Sequence, residues 1–236
     1  MARTRLTLLG AFGLACDEEP VALPMSAQRV LAFVALHERP LQRPYVAGSL
    51  WLDSPEERAY ASLRSALWRL HRHGRELVET KGQQLALGHG VEVDLRESET
   101  LARRTLDEAD AGALDAETAV FGADLLPDWY EDWVLIERER YRQLRLRALD
   151  VLCERLTDAN RLSEALDAGL AAVAGEPLRE SAHRAIVRVH LAEGNVGEAV
   201  RQYRLCRRLL NQQLGIEPSE RMQQLVRSFD VLETVR

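Results

Sequence analysis

The sequence holds one lysine, Lys81, among its 31 basic side chains, and three cysteines, Cys16, Cys153 and Cys206, in 236 residues. An odd number of widely scattered thiols excludes a disulfide framework and fits a reducing compartment. The near-exclusive use of arginine, beside abundant Ala, Leu and Val, reads as the codon bias of a GC-rich bacterial genome. No stretch approaches the roughly 18 apolar residues that a membrane span needs, so no membrane partner is expected. A short apolar run behind Arg3 and Arg5 ends at Cys16 and has the outline of a lipoprotein signal. Thr7, Gly10 and Gly13 interrupt it, and a cytoplasmic location is expected instead.

Signatures of catalysis are missing too. The chain has no phosphate-cradling glycine loop, no G-x-S-x-G and no zincin motif. Gly88-His89-Gly90 lacks a third glycine and a following helix. His183 and His190 lie seven apart with Cys206 further on, but no close His pair or Cys-x-x-Cys accompanies them, so no metal is expected. The acids read as solvated charge on helix faces. The expectation is a protein that is not an enzyme and carries no cofactor.

What is present is globular composition, 46% hydrophobic and 29% charged, at a net charge of −6. The length suits two domains. Residues 1–95 carry eleven Lys/Arg and eleven Asp/Glu, so the negative excess lies beyond them. Within that neutral part, Arg58, Arg64, Arg69, Arg72 and Arg75 follow one another with no acid between. Local basic density matters more than the total when phosphates are the partner.

Alternation at Leu6 and Leu8, at Phe12, Leu14 and Cys16, and at Val21 and Leu23 predicts short strands, with a turn at Asp17-Glu18-Glu19-Pro20. Ser26 is placed to cap a helix that buries Val30, Leu31, Val34 and Ala35 and ends near His37. A second short helix runs from about Tyr45 to Trp51, with Val46 and Leu50 inward and Trp51 in the core. Ser54 as cap, Pro55 at the first helical position and Glu56 and Glu57 behind it start a third helix that runs to about His73, where Gly74 can stop it. Leu63, Ala66, Leu67 and Leu70 form its buried stripe. Two short strands around Lys81-Gly82 follow. The order of strands, three helices and a hairpin predicts a winged helix-turn-helix with an extra N-terminal sheet.

Beyond residue 95 the pattern is helical, over 96–109, 113–120, 129–157, 162–174, 178–193, 196–214 and 219–233. Arg161-Leu162-Ser163-Glu164-Ala165-Leu166 recurs as Asn195-Val196-Gly197-Glu198-Ala199-Val200 at an offset of 34, the period of tetratricopeptide repeats. The expected fold is therefore mainly α with small β, a winged-helix domain over 1–95 and an all-α repeat-like domain over 96–236. Trp129 and Trp133, four apart on one helix, are expected to cover an apolar seam between domains or helices, the alternative being a partner surface.

The third helix offers Arg58, Ser62, Arg64, Ser65, Trp68, Arg69 and Arg72 on its other face. A helix fits the DNA major groove, and arginine's planar fork can bond guanine or phosphate bidentately. Trp68 either packs against the N-terminal sheet or sits at the DNA surface, and burial or half-burial is the expectation, since exposed tryptophan is uncommon. Lys81, Gln83 and Gln84 occupy the wing, which can reach the minor groove or the backbone. Arg69→Ala is expected to weaken operator binding by ~1–3 kcal/mol if the side chain reads a base.

The stretches Leu50-Trp51-Leu52-Asp53, Ala61 to Leu70, Leu125 to Arg140 and the Pro177 to Pro218 region resemble the Streptomyces antibiotic regulatory protein family. Departures are Gln83-Gln84-Leu85 in place of a Gly-x-Tyr in the wing, and His71 where arginine is common. The resemblance implies a winged helix joined to a bacterial transcriptional activator domain, binding to direct repeats in double-stranded DNA near promoters, and recruitment of RNA polymerase through its sigma factor. The helical domain is expected to self-associate as a homodimer or to contact polymerase. Two other readings stand beside this one. One is a protein-interaction scaffold whose winged helix no longer binds DNA, and the other a small-molecule sensor with its ligand among the helical repeats.

Overall fold

The computed structural model describes residues 3–72, 76–107 and 121–230, the last three by backbone alone. The chain divides into two compact units, Met1–Glu97 with Asp124–Glu139, and Ser98–Ala123 with Arg140–Arg236.

The first unit opens with β1 (Thr4–Thr7), β2 (Gly13–Cys16) and β3 (Glu19–Pro20). Asp17 and Glu18 both take positive φ, 51° and 70°, so a two-residue turn joins β2 to β3 and Glu19-Pro20 already belongs to the strand. Helix α1 spans Met25–Ala35. Its N-cap is Pro24 rather than Ser26: Pro24 is extended, and its carbonyl accepts from the amides of Ala27 and Gln28. A two-residue β4 (Leu41–Gln42) leads into α2 (Arg43–Leu50). Helix α3 (Glu56–His71) shifts the other way and starts one residue later than expected, with Pro55 as the N-cap and no side-chain cap from Ser54. Then come β5 (Val78–Lys81), β6 (Gln84–Leu87) and β7 (Val91–Val93). The strands form two sheets, in the orders β3-β2-β1-β7 and β4-β6-β5. The first mixes the antiparallel pair β1–β2 with a parallel pairing of β1 to β7.

Leu6, Leu8, Val30, Leu31, Leu63, Leu70 and Leu85 are all but inaccessible and form the interior of this unit. Three polar devices fix its edges. The Asp94 carboxylate accepts from the amides of Leu8 and Leu9 at 2.8 and 3.1 Å, where β1 ends. Arg96 donates to the carbonyls of Ala35 and His37, answering acceptors left open where α1 ends. Arg138 donates to the carbonyls of Leu125, Leu126 and Trp129 and so holds a loop in which Leu126 has a φ of 42°. That loop returns to β1: Leu9 bridges Leu125, and the Leu126 amide donates to the Leu8 carbonyl at 2.9 Å.

Helix α4 (Asp94–Leu106) and the 27-residue α5 (Asp132–Asp158) each start in the first unit and continue in the second. They are followed by α6 (Leu162–Gly175), α7 (Glu180–Ala192), α8 (Val196–Leu214) and α9 (Glu220–Asp230). The expected helix over 113–120, and Gly74 as a helix stop, lie outside the described residues.

The 34-residue repeat is exact in its hydrogen bonding. At the end of α5 the Arg161 amide donates to the Leu156 carbonyl at 2.8 Å, and at the end of α7 the Asn195 amide donates to the His190 carbonyl at 2.8 Å. The residues before them, Asn160 and Gly194, both take left-handed φ, 59° and 78°. Both bonds are the signature of a helix closed by a left-handed residue. Ala165 and Ala199, one turn into the following helices, are wholly buried and let those helices approach closely. Ala165, Ala168 and Ala172 of α6 pack with Leu149, Leu152, Cys153 and Leu156 of α5. Tyr203, Cys206 and Leu210 of α8 pack with Val187, Met222 and Val226.

His183 and His190 each have partners within the fold. His183 is buried, with Nε2 2.9 Å from the Pro177 carbonyl and Nδ1 2.9 Å from the Gln202 amide nitrogen. An amide nitrogen can only donate, so Nε2 carries the proton and the ring is neutral. His190 lies 3.3 Å from Glu193 instead. Among the described residues no three His, Cys, Asp or Glu side chains gather as a metal site would need. Nor is any described helix long and apolar enough to cross a membrane.

Candidate nucleic-acid interface

Helix α3 has two faces because its sequence has two phases. Ala59, Leu63, Ala66, Leu67 and Leu70 recur at spacings of three and four and are buried. Ala61, Ser65, Trp68 and Arg72 recur at spacings of four, three and four on the opposite side and are exposed. Arg58 and Arg69 flank this line on one side and Arg64 on the other, all exposed, while Ser62 is half-buried. Glu56 and Glu57 fill the first turn, where the helix dipole favours negative charge.

Trp68 corrects the expectation of burial. It is 60% exposed. Its phase, midway along the outward line, outweighs the general tendency of tryptophan to be inside. Arg72 lies across its ring, with the guanidinium carbon 4.8 Å from the centroid. This is an i, i+4 cation–π pair.

The cations of this face are uncompensated. Among the described residues none of Arg58, Arg64, Arg69 and Arg72 meets a carboxylate. Arg69 donates to the Ser26 hydroxyl at 3.2 Å. His71, at the edge, turns Nδ1 to the Leu67 carbonyl of its own helix at 2.7 Å. Several guanidiniums elsewhere are matched: Arg3 with Glu92 at 2.7 Å, Arg179 with Asp150 at 2.8 Å, Arg188 with Glu154 at 2.9 Å. Arg75 lies outside the described residues.

The hairpin β5–β6 is a two-residue loop, Gly82-Gln83, with Gly82 at φ 60° and Lys81 paired to Gln84. The Gln83 carbonyl accepts from the Arg43 amide at 2.8 Å, which ties the loop to the start of α2. Lys81 is 81% exposed, with its nearest carboxylate, Glu79, at 4.0 Å. Gln83 and Gln84 are exposed beside it. After β6, Gly88 is required by close approach, since a Cβ there would meet the Glu76 carbonyl oxygen at 1.8 Å.

Sequence reasoning did not foresee the aromatic cluster of the first unit. Trp129 is buried, stacks on Phe12 at 5.9 Å and meets Trp133 edge-on at 6.1 Å. Trp133 in turn stands edge-on to Phe33 at 5.1 Å. The two tryptophans do not share a helix, since α5 starts at Asp132, and the apolar cluster they join lies within this unit. Trp51 is half-buried rather than core and lies under Arg29, which pairs with Glu131 at 3.0 Å. Around them runs an open groove of about 600 Å³, with Leu52, Tyr130 and Ile136 exposed on its walls. Among the helical repeats, a concavity between Glu154, Thr157 and Arg188 holds about 90 Å³, well below the ~300–1,000 Å³ of ordinary ligand sites.

Fold and face together define a winged helix with a cationic third helix, joined to a unit of paired helices. The family model described as "Bacterial transcriptional activator domain" matches residues 91–229. The chain belongs to that family of transcriptional activators, in keeping with its resemblance to the Streptomyces antibiotic regulatory proteins. It is similar to the regulatory protein AfsR of Streptomyces coelicolor, at 26% identity over 234 residues. That alignment covers 94% of this chain and 24% of AfsR, so the chain spans about a quarter of that relative. Among solved structures it is similar in fold to Mycobacterium tuberculosis EmbR in a complex with a low-affinity phosphopeptide. There the TM-score is 0.78 and the identity 19%, covering 99% of this chain and 66% of EmbR.

Proposed function

We propose that the chain is a cytoplasmic, sequence-specific DNA-binding activator that docks α3 in the major groove and the β5–β6 hairpin beside it. Arg58, Arg64, Arg69 and Arg72 meet phosphates or base edges, Ser62 and Ser65 lie along the groove, and Lys81 meets the backbone. The observation that carries this reading is the gathering of Arg58, Arg64, Arg69 and Arg72 on one exposed helix face, with no carboxylate partner among the described residues. Leaving like charges unmatched is unfavourable unless a polyanion supplies the counter-charge. Residues 1–95 then act as the reader and 96–236 as the effector, through self-association or contact with the sigma factor of RNA polymerase at promoter direct repeats. The family and the similarity to a regulatory protein support this division of labour.

Selection of bound fragments from a pool of random duplexes by the purified protein tests it. Enrichment of a spaced direct repeat is expected. Failure to enrich any sequence at low salt would overturn it. A second reading, an interaction scaffold without DNA binding, draws on the net charge of −6 and the exposed Leu52, Tyr130 and Ile136. Loss of both heparin retention and DNA binding at low salt would favour it.

A further inference from the structure

We propose that Trp68 reads the 5-methyl group of a thymine in the operator, with Arg72 held across its ring to meet the neighbouring phosphate. This rests on the reading that α3 is the groove helix.

The outward line of α3 decides which side chains reach deepest. Ala61, Ser65, Trp68 and Arg72 lie on that line, and the other arginines lie to its sides. In a groove with phosphate walls, side chains on the flanks meet backbone and those on the centre line within the helix meet base edges, while Arg72, the C-cap beyond the last turn, has the length to reach the wall. Ala61 is short and Ser65 small, so the bulk facing the floor of the groove is the indole.

The indole is also the wrong group to leave in water. It is the largest side chain on an otherwise charged face, and 60% of it is exposed. Aromatic side chains gain most from burial, so this exposure is resolved when a partner covers the ring.

Chemistry then selects the base. Indole offers a carbon surface and one N–H donor, and has no acceptor. In the major groove thymine shows a methyl group beside the O4 acceptor. Cytosine shows a donor that the indole cannot satisfy. Guanine shows two acceptors, a pattern better met by an arginine fork. Adenine shows an acceptor with an amino donor beside it. Thymine alone pairs an apolar group with an acceptor, which is the complement of indole.

Arg72 completes the arrangement. Its guanidinium sits 4.8 Å from the Trp68 centroid, so one face of the ring is covered and the cation is already ordered. An ordered side chain loses less entropy when it meets phosphate.

The test replaces each thymine of the selected operator, one at a time, with deoxyuridine, which removes the methyl group and keeps every hydrogen-bonding group. For the intact protein, one such replacement per half-site is expected to weaken binding about fourfold, the value of one buried methyl. For Trp68→Ala the same replacement is expected to make no difference, and thymine and cytosine at that position bind alike. An unchanged melting temperature shows that the variant is folded. If no replacement matters to the intact protein, or if the loss persists in Trp68→Ala, the thymine assignment is overturned. If Arg64→Ala and Trp68→Ala both bind the operator as tightly as the intact protein, the placement of α3 fails with it. If Arg64→Ala weakens binding while deoxyuridine is silent, only the thymine assignment falls.

Discussion

Replacing Gly169 with alanine puts a methyl carbon 2.6 Å from Cγ1 of Ile186 on α7 and 3.3 Å from Sγ of Cys153 on α5. Carbon atoms in contact rest at ~3.5–4.0 Å, so α6 must withdraw by about 1 Å or Ile186 must leave its rotamer. Overpacking of this kind costs ~1–3 kcal/mol. Helix propensity returns about 1 kcal/mol, because glycine is the poorer helix former. The net expectation is a loss of up to about 2 kcal/mol, at roughly 2–4 °C in melting temperature per kcal/mol for a chain of this size. Gly197 in α8 is the control, since a Cβ there meets nothing within 4 Å and its φ is not left-handed. Gly197→Ala is expected to be neutral or stabilising by up to ~1 kcal/mol. Thermal melts of both variants, followed by helical circular dichroism, read the contrast. If Gly169→Ala melts at or above Gly197→Ala, the close approach of α6 to α7 is refuted.

Burial holds the His183 imidazole below its ordinary pKa, against the opposing pull of the Pro177 carbonyl and Glu180. The unfolded state therefore binds the proton more readily. The contribution of His183 is fully present above about pH 6.5 and is lost as pH falls through and below that value. His183→Gln should flatten this part of the stability profile, and an unchanged slope would contradict it. Burial pushes the Cys153 thiol up to about 12 and the Cys206 thiol up to about 11. With Cys16 half-buried, the native protein should give at most one fast-reacting thiol to a disulfide reagent at pH 8, and three once unfolded.

Much of the fold could be read from the sequence because its signals are local. The stripe of Leu63, Ala66, Leu67 and Leu70 needs only helical phase, and the 34-residue offset placed Asn195 and Ala199 opposite Arg161 and Ala165 without knowledge of the packing. The caps were one or two residues out, α1 starting earlier and α3 later. Ser26 and Ser54 have the right side chains, but Pro24 and Pro55 carry the non-helical backbone of the N-cap.

The return of residues 124–139 to the first unit was not legible. It depends on Leu9 meeting Leu125 and Phe12 meeting Trp129, pairs over a hundred residues apart with no local signature. On the candidate face, Trp68 was misjudged because the average behaviour of its residue type was set above its helical phase. Nor can sequence separate Arg64, exposed without a carboxylate partner, from Arg96 and Arg138, which serve carbonyls inside the fold. The residue type is the same, and only the fold assigns its partner.

The central claim is that the exposed cations of α3 and the hairpin are there for phosphates. The salt dependence of operator affinity measures this directly. If Arg58, Arg64, Arg69, Arg72 and Lys81 each neutralise one phosphate, log K should fall against log salt with a slope of about −4 to −5, each contact contributing ~0.9. Arg64→Ala should make that slope shallower by about 0.9. A slope near zero, or one that Arg64→Ala leaves unchanged, would contradict the account.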